Sequence, residues 1–167
     1  MLREPVCGRT RVVAVDGRSG AGKTEFAHQL ANRLDAPILS LEDLYPGWNG
    51  LEAAVHSLRG ILAALAVDDL GTARRWDWAD DRPGELLTVT PSPLLIIDGV
   101  GSGAARIRPF LSLLVWLQAD DATRKSRALE RDGATYAPWW ETWAAQEHEH
   151  LVREQTASAA DIVIRTD

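Results

Sequence analysis

The stretch VVAVDGRSGAGKTEF, residues 12–26, decides how the rest of this chain is read. A β-branched apolar run, RVVAVD at 11–16, stops at Gly17 and has the pattern of a buried strand. KTEFAHQLANRL follows, where Phe26, Leu30 and Leu34 recur every four residues and give a helix one apolar face. Between the two lies Gly17-x-x-x-x-Gly22-Lys23-Thr24, a phosphate-loop pattern with the strand before it and the helix after it that the pattern needs. Glycines let successive backbone N–H groups turn inward without a Cβ in the way. The helix start adds unpaired donors and the positive end of its dipole. Gly17, Ser19, Gly20, Ala21, Gly22, Lys23, Thr24 and the adjoining Glu25 are thus the expected nucleotide-binding segment. Lys23 is placed to reach the outer phosphates, and the Thr24 hydroxyl to ligate Mg²⁺.

Working outward, short apolar runs alternate with longer helical stretches. PILSL (37–41), PLLIID (93–98), SLLVWL (112–117) and ADIVIR (160–165) read as strands. Residues 51–66 are helical by spacing, with Gly60 a soft spot. DDATRKSRALERDG opens on Asp120 and Asp121 and closes on Gly133, sensible helix start and stop signals. WWETWAAQEHEHLVREQTAS (139–158) is a second long helical stretch. Strands alternating with helices predict an α/β fold with a parallel sheet covered on both faces, built as a single domain over 1–167.

Composition narrows the partners. A net charge of −6 without any Lys/Arg block argues against nucleic acid and anionic membranes. Apolar runs such as LLII at 94–97 are too short to span a bilayer, and MLREPVCGRTR has no signal-peptide core. The lone Cys7 suits a reducing, cytoplasmic setting.

A phosphate loop alone does not separate a kinase from a switch or a motor, so the other polar signals matter. In LSLEDLYPGW, Glu42 and Asp43 follow the C-terminal end of a strand, where ligands of open α/β sheets sit. A carboxylate there suits proton acceptance from an attacking hydroxyl, and it equally suits a solvated helix start. Asp98 ends the LLIID strand, a position for holding hydrated Mg²⁺ or for a plain Asp-Gly turn. Arg124, Arg127 and Arg131 share one helical stripe that could close over a triphosphate or form a solvated basic face. In RRWDWADDR, Trp76 and Trp78 flank Asp77, as a stacking platform or, more simply, as core packing. His148 and His150 of EHEH point about 200° apart on a helix, which favours a solvated face over a shared ion. Trp139, Trp140 and Trp143 suit packing of the last helix against the sheet.

These residues together resemble the uridine kinase-like family of P-loop kinases, in the form of its small actinobacterial-type members, over nearly the whole chain. VAVDGRSGAGKT is similar to that family's strand and phosphate loop. LSLEDLY is similar to its segment S-x-D-[DS]-F-Y, which implies Glu42 as catalytic base and Tyr45 beside the substrate. WDWADDR resembles the substrate segment, implying Asp77 and Arg82 near the acceptor. IIDGV implies Asp98 near Mg²⁺, and ADDATRKSRALERDG resembles the arginine-bearing lid, implying Arg127 and Arg131 as its cations. The family implies a P-loop NTPase three-layer sandwich with sheet order 2-3-1-4-5.

Departures bear on the substrate. Glu42 stands where Asp is usual, Asp43 could take over as base, and Glu25 replaces a small hydroxyl residue. The nucleoside-site His is missing, with Asp80 or Asp81 near its place. The expectation is an ATP- and Mg²⁺-dependent phosphotransferase acting on a hydroxyl of a small metabolite, such as a nucleoside or related riboside. The competing expectation is a nucleotide-binding regulator or slow ATPase. Partners expected are nucleotide and a small acceptor, no nucleic acid and no membrane, with a homodimer left open.

Overall fold

A computed structural model describes residues 4–166, apart from the side chains of Arg131, Asp132 and Thr135. Five strands form one parallel sheet: β1 (Arg11–Gly17), β2 (Ile38–Ser40), β5 (Leu94–Asp98), β6 (Leu113–Gln118) and β7 (Ile162–Arg165). Its order is β2-β5-β1-β6-β7, which in chain order of these five strands is the expected 2-3-1-4-5. β1 is central, pairing Val15 with Asp98 on one side and Gly17 with Leu117 on the other.

The two-residue period of β1 sorts its side chains into two cores. Val12 and Ala14 face the larger one with α2 (Leu51–Leu65) and α4 (Trp140–Glu154). Val13 and Val15 face the smaller one with Ala27 and Ala31 of α1 (Lys23–Leu34). On α2 the residues Leu51, Ala54, Val55, Leu58, Ile61, Leu62 and Leu65 form one buried stripe at helical spacing. Burying each of its leucines is worth roughly 2 kcal/mol in transfer from water. Cys7 lies in this core, and burial, aided by Asp68, pushes its thiol up to about 11. No helix among the described residues is long and apolar enough to cross a membrane.

Two features differ from the sequence expectations, the 71–89 segment and the end of the last long helix. Residues 71–89 form an antiparallel hairpin, β3 (Gly71–Asp77) and β4 (Arg82–Val89), which stands apart from the sheet and packs on α2. At Gly133, the expected stop of the helix begun at Asp121, the backbone does leave the helical region (φ 49°, ψ −129°), so α3 (Asp121–Tyr136) is two helical segments meeting at a kink. The last helical stretch breaks at Gln155 in a left-handed conformation, ending α4 before the short α5 (Thr156–Ala159). Asp120 caps α3 by accepting from the Thr123 N–H at 2.8 Å, as its start signal implied.

Candidate active site

The phosphate loop connects β1 to α1, and its backbone is shaped by close approach. A Cβ on Gly20, at φ +80°, would lie 2.1 Å from the Arg124 carbonyl oxygen, so only glycine lets the loop reach the start of α3. Gly22 caps α1 at φ 88°, leaving the helix's first N–H groups at the mouth of the loop. Lys23 is nearly buried, and its ammonium donates across the loop to the Arg18 carbonyl at 3.0 Å.

Beside the loop opens a cavity of about 1040 Å³. Ser19, Gly20, Gly22, Lys23, Thr24 and Glu25 line it, with Arg127. Glu42, Tyr45, Trp48, Trp78, Trp139 and Trp143 line it too. Asp98, at the end of β5, is also in the lining. Gly17 and Ala21 shape the loop from behind and do not line the cavity.

The aromatic wall centres on Trp48. It stacks on Tyr136 at 5.1 Å and Trp139 at 6.0 Å, and meets Trp78 edge-on at 5.1 Å. Trp78 is 40% exposed rather than packed in the core, and its indole N–H donates to the Glu42 carbonyl at 3.0 Å. The hairpin thereby braces the segment that carries Glu42. Trp76 is half-buried and does not line the cavity. Tyr45 is buried and donates to the Val100 carbonyl at 2.8 Å. Burial first, then the charges of Asp16, Glu42, Asp98 and Glu147, push its hydroxyl well above the ordinary tyrosine range, so it stays a neutral donor.

The remaining site candidates are dispersed. Asp43 turns to the hairpin and pairs with Arg75 at 3.5 Å, outside the cavity lining. Asp77 accepts from the Ala79 and Asp80 N–H groups, holding the hairpin turn, and Arg82 pairs with Asp80 at 2.7 Å. Neither Asp77 nor Arg82 lines the cavity. Glu25 reaches along α1 to Gln29. Arg127 donates to the Thr166 carbonyl at 2.7 Å, and the Arg131 side chain lies outside the described residues. Arg124 is almost fully buried and grips the phosphate loop through the Ser19 carbonyl at 3.0 Å, so it is no part of a solvated face.

Mg²⁺ fits the residues present. Asp98 is 2% exposed, and its Oδ1 has no hydrogen-bond partner although it is buried at the cavity. A bare carboxylate oxygen in that position, with the Thr24 hydroxyl residue in the same cavity, is the hard-oxygen donor set that this ion takes.

Two buried carboxylates were missed by sequence reasoning. Asp16, the last residue of β1 before Gly17, accepts from the N–H groups of Gly17 (2.7 Å), Gly101 (3.2 Å) and Gly103 (2.8 Å). Burial raises its carboxyl above the usual range, against the pull of the Gly103 and Gly17 N–H groups and of Lys23 and His150. The signal was a second strand-ending Asp-Gly pair beside Asp98-Gly99. Glu147 of EHEH is 1% exposed and His150 is buried, so only His148 and Glu149 belong to a solvated face. The donor atoms of Glu52, His150 and Glu154 come within 4.8 Å, yet Arg106 and Arg153 already claim the two carboxylates.

Known structures agree with this architecture. A possible uridine kinase from Bacillus stearothermophilus superposes with a TM-score of 0.62 at 23% identity, covering 93% of this chain and 88% of that one. A proposed fructose transport system kinase from Silicibacter gives 0.60 at 17% identity, covering 93% and 89%. A Thermus thermophilus protein gives 0.55 at 14% identity, covering 95% and 89%. The chain shares the α/β phosphate-loop fold of these structures. No protein-family model and no curated protein sequence matches the chain. This fold puts the cavity at the C-terminal edge of the sheet, where β1 and β5 deliver Gly17 and Asp98.

Proposed function

We propose that this protein is an ATP- and Mg²⁺-dependent phosphotransferase that moves a γ-phosphate to a hydroxyl of a small metabolite. One observation carries the reading: the phosphate loop and the aromatic wall with Glu42 line one continuous cavity. A regulator or slow ATPase needs the phosphate loop and has no use for the aromatic wall. At about 1040 Å³ the space is large enough for a donor and an acceptor together.

The loop N–H groups and Lys23 bind the outer phosphates, and Arg127 adds positive charge from the lid side. Thr24 and Asp98 would hold Mg²⁺, which supplies charge neutralisation and orientation to the phosphates when bound. Glu42 accepts the proton of the attacking hydroxyl, and Trp48, Trp78 and Trp139 exclude water around the acceptor body. The fold relatives include a possible uridine kinase and a proposed fructose kinase, which supports a polyhydroxyl acceptor.

ADP release measured with ATP, Mg²⁺ and a panel of nucleosides, ribosides and sugars tests this. One class should raise ADP release with saturation, and Glu42→Gln should lower that turnover by about 10²–10⁴-fold. ADP release that no acceptor changes would identify a slow ATPase instead. Full turnover in Glu42→Gln would remove Glu42 as the base.

A further inference from the structure

Ser19 of the phosphate loop is held at all three of its polar groups by the two helices that follow β6. Its N–H donates to Glu147 Oε1 at 2.7 Å, and its carbonyl accepts from Arg124 at 3.0 Å. Its hydroxyl oxygen accepts from the Trp143 indole N–H at 2.9 Å. Glu147 is the hub. Its Oε1 also accepts from Trp143 at 3.0 Å, and its Oε2 from Arg18 Nε at 3.3 Å, with Arg124 at 4.0 Å. A carboxylate buried this deeply persists only when donors surround it, and here two guanidinium groups balance its charge.

The arrangement has a direction. Trp143 lines the cavity and packs edge-on to Tyr45 at 4.8 Å, while its N–H touches the phosphate loop. One helix, α4, therefore carries both part of the aromatic wall and the anchor of the phosphate loop. With its N–H given to Glu147, the Ser19 amide is also taken out of the set of donors that face a phosphate.

We propose that Glu147, together with Trp143, is a positioning residue that sets the Arg18–Gly20 part of the phosphate loop for nucleotide and links that setting to the acceptor wall. The inference rests on the nucleotide-binding reading above. In Glu147→Gln the side chain keeps its size. Its amide cannot accept from Ser19 and Trp143 on one side and from Arg18 on the other, so one donor is left facing a donor.

The test is Mg·ADP affinity by calorimetry, with melting temperature measured alongside. Glu147→Gln should weaken Mg·ADP by about tenfold or more. Glu154→Gln is the control, because it removes another buried carboxylate of α4 that holds the Ala105 N–H at 2.7 Å and touches no part of the loop. It should lower the melting temperature comparably while leaving Mg·ADP affinity within twofold. Trp143→Phe keeps an aromatic ring at this position and removes the indole N–H with the five-membered ring that bears it. It should weaken Mg·ADP by about threefold, and the double variant should lose less than the product of the two. Glu147→Gln or, should that variant not fold, Trp143→Phe binding Mg·ADP as tightly as the unmodified protein would overturn the proposal. Failure of the unmodified protein to bind Mg·ADP would instead overturn the nucleotide reading, and this inference with it.

Discussion

Two neighbouring strands end in the same dipeptide, Asp16-Gly17 on β1 and Asp98-Gly99 on β5, and the two carboxylates have opposite surroundings. Asp16 spends both oxygens on three backbone N–H groups and ties the 101–103 loop to the phosphate-loop strand. Asp98 keeps a buried oxygen without a hydrogen-bond partner at the cavity. The first is a satisfied group that fixes backbone. The second carries a desolvation cost that only a ligand can offset. Local sequence is the same, so neighbours in space assign the roles.

The sharpest way to break this comparison is to convert each carboxylate to its amide. Asp98→Asn should lower turnover or metal affinity by about 10–100-fold and barely move the melting temperature. Asp16→Asn turns an acceptor into a donor against the Gly103 or Gly101 N–H. It should cost about 2–3 kcal/mol of stability, read by urea unfolding. Equal destabilisation by both would mean that they do the same structural job.

A smaller effect comes from pH, and Glu154 supplies the contrast. Burial works to raise its carboxyl, but the Ala105 N–H and Arg153 outweigh that and hold it below its unfolded value of 4.5. Its contribution is therefore present above that pH and is lost as pH falls through the lower folded value. Asp16 runs the other way, because its carboxyl is raised: its contribution is present in acid and declines as pH rises. Between pH 3 and about pH 6, the unfolding free energy of Glu154→Gln should lose less on acidification than that of the unmodified protein, because the Glu154 contribution is gone. An equal loss in both would mean that the Arg153–Glu154 pair adds nothing to it.

The five sheet strands were legible as short apolar runs, most plainly β1, β5 and β6, which are buried on both faces, while their order came from the family resemblance. The hairpin was not legible. GTARRWD and RPGELLTV are mostly exposed, mix charged with apolar residues and carry a register shift between Arg74 and Trp76 that breaks any alternation. Missing it left Trp78 open between a stacking platform and core packing, when the hairpin turn delivers it to the cavity. Lys23, Thr24, Glu42 and Asp98 stand in motifs short enough to read, and they meet at one cavity. Glu147 hid in EHEH, whose charge density reads as solvent-facing. The clue was the spacing of Trp140, Trp143, Glu147, His150 and Glu154, which puts three polar residues on the line of two buried tryptophans.

The aromatic wall has an optical consequence. Of seven tryptophans in the chain, four line the cavity. Trp48 and Trp139 lie 6.0 Å apart and only 9° from parallel, close enough for their excited states to mix. The protein thus has a built-in chromophore pair at its mouth, whose near-ultraviolet dichroism changes when a molecule enters and moves either ring.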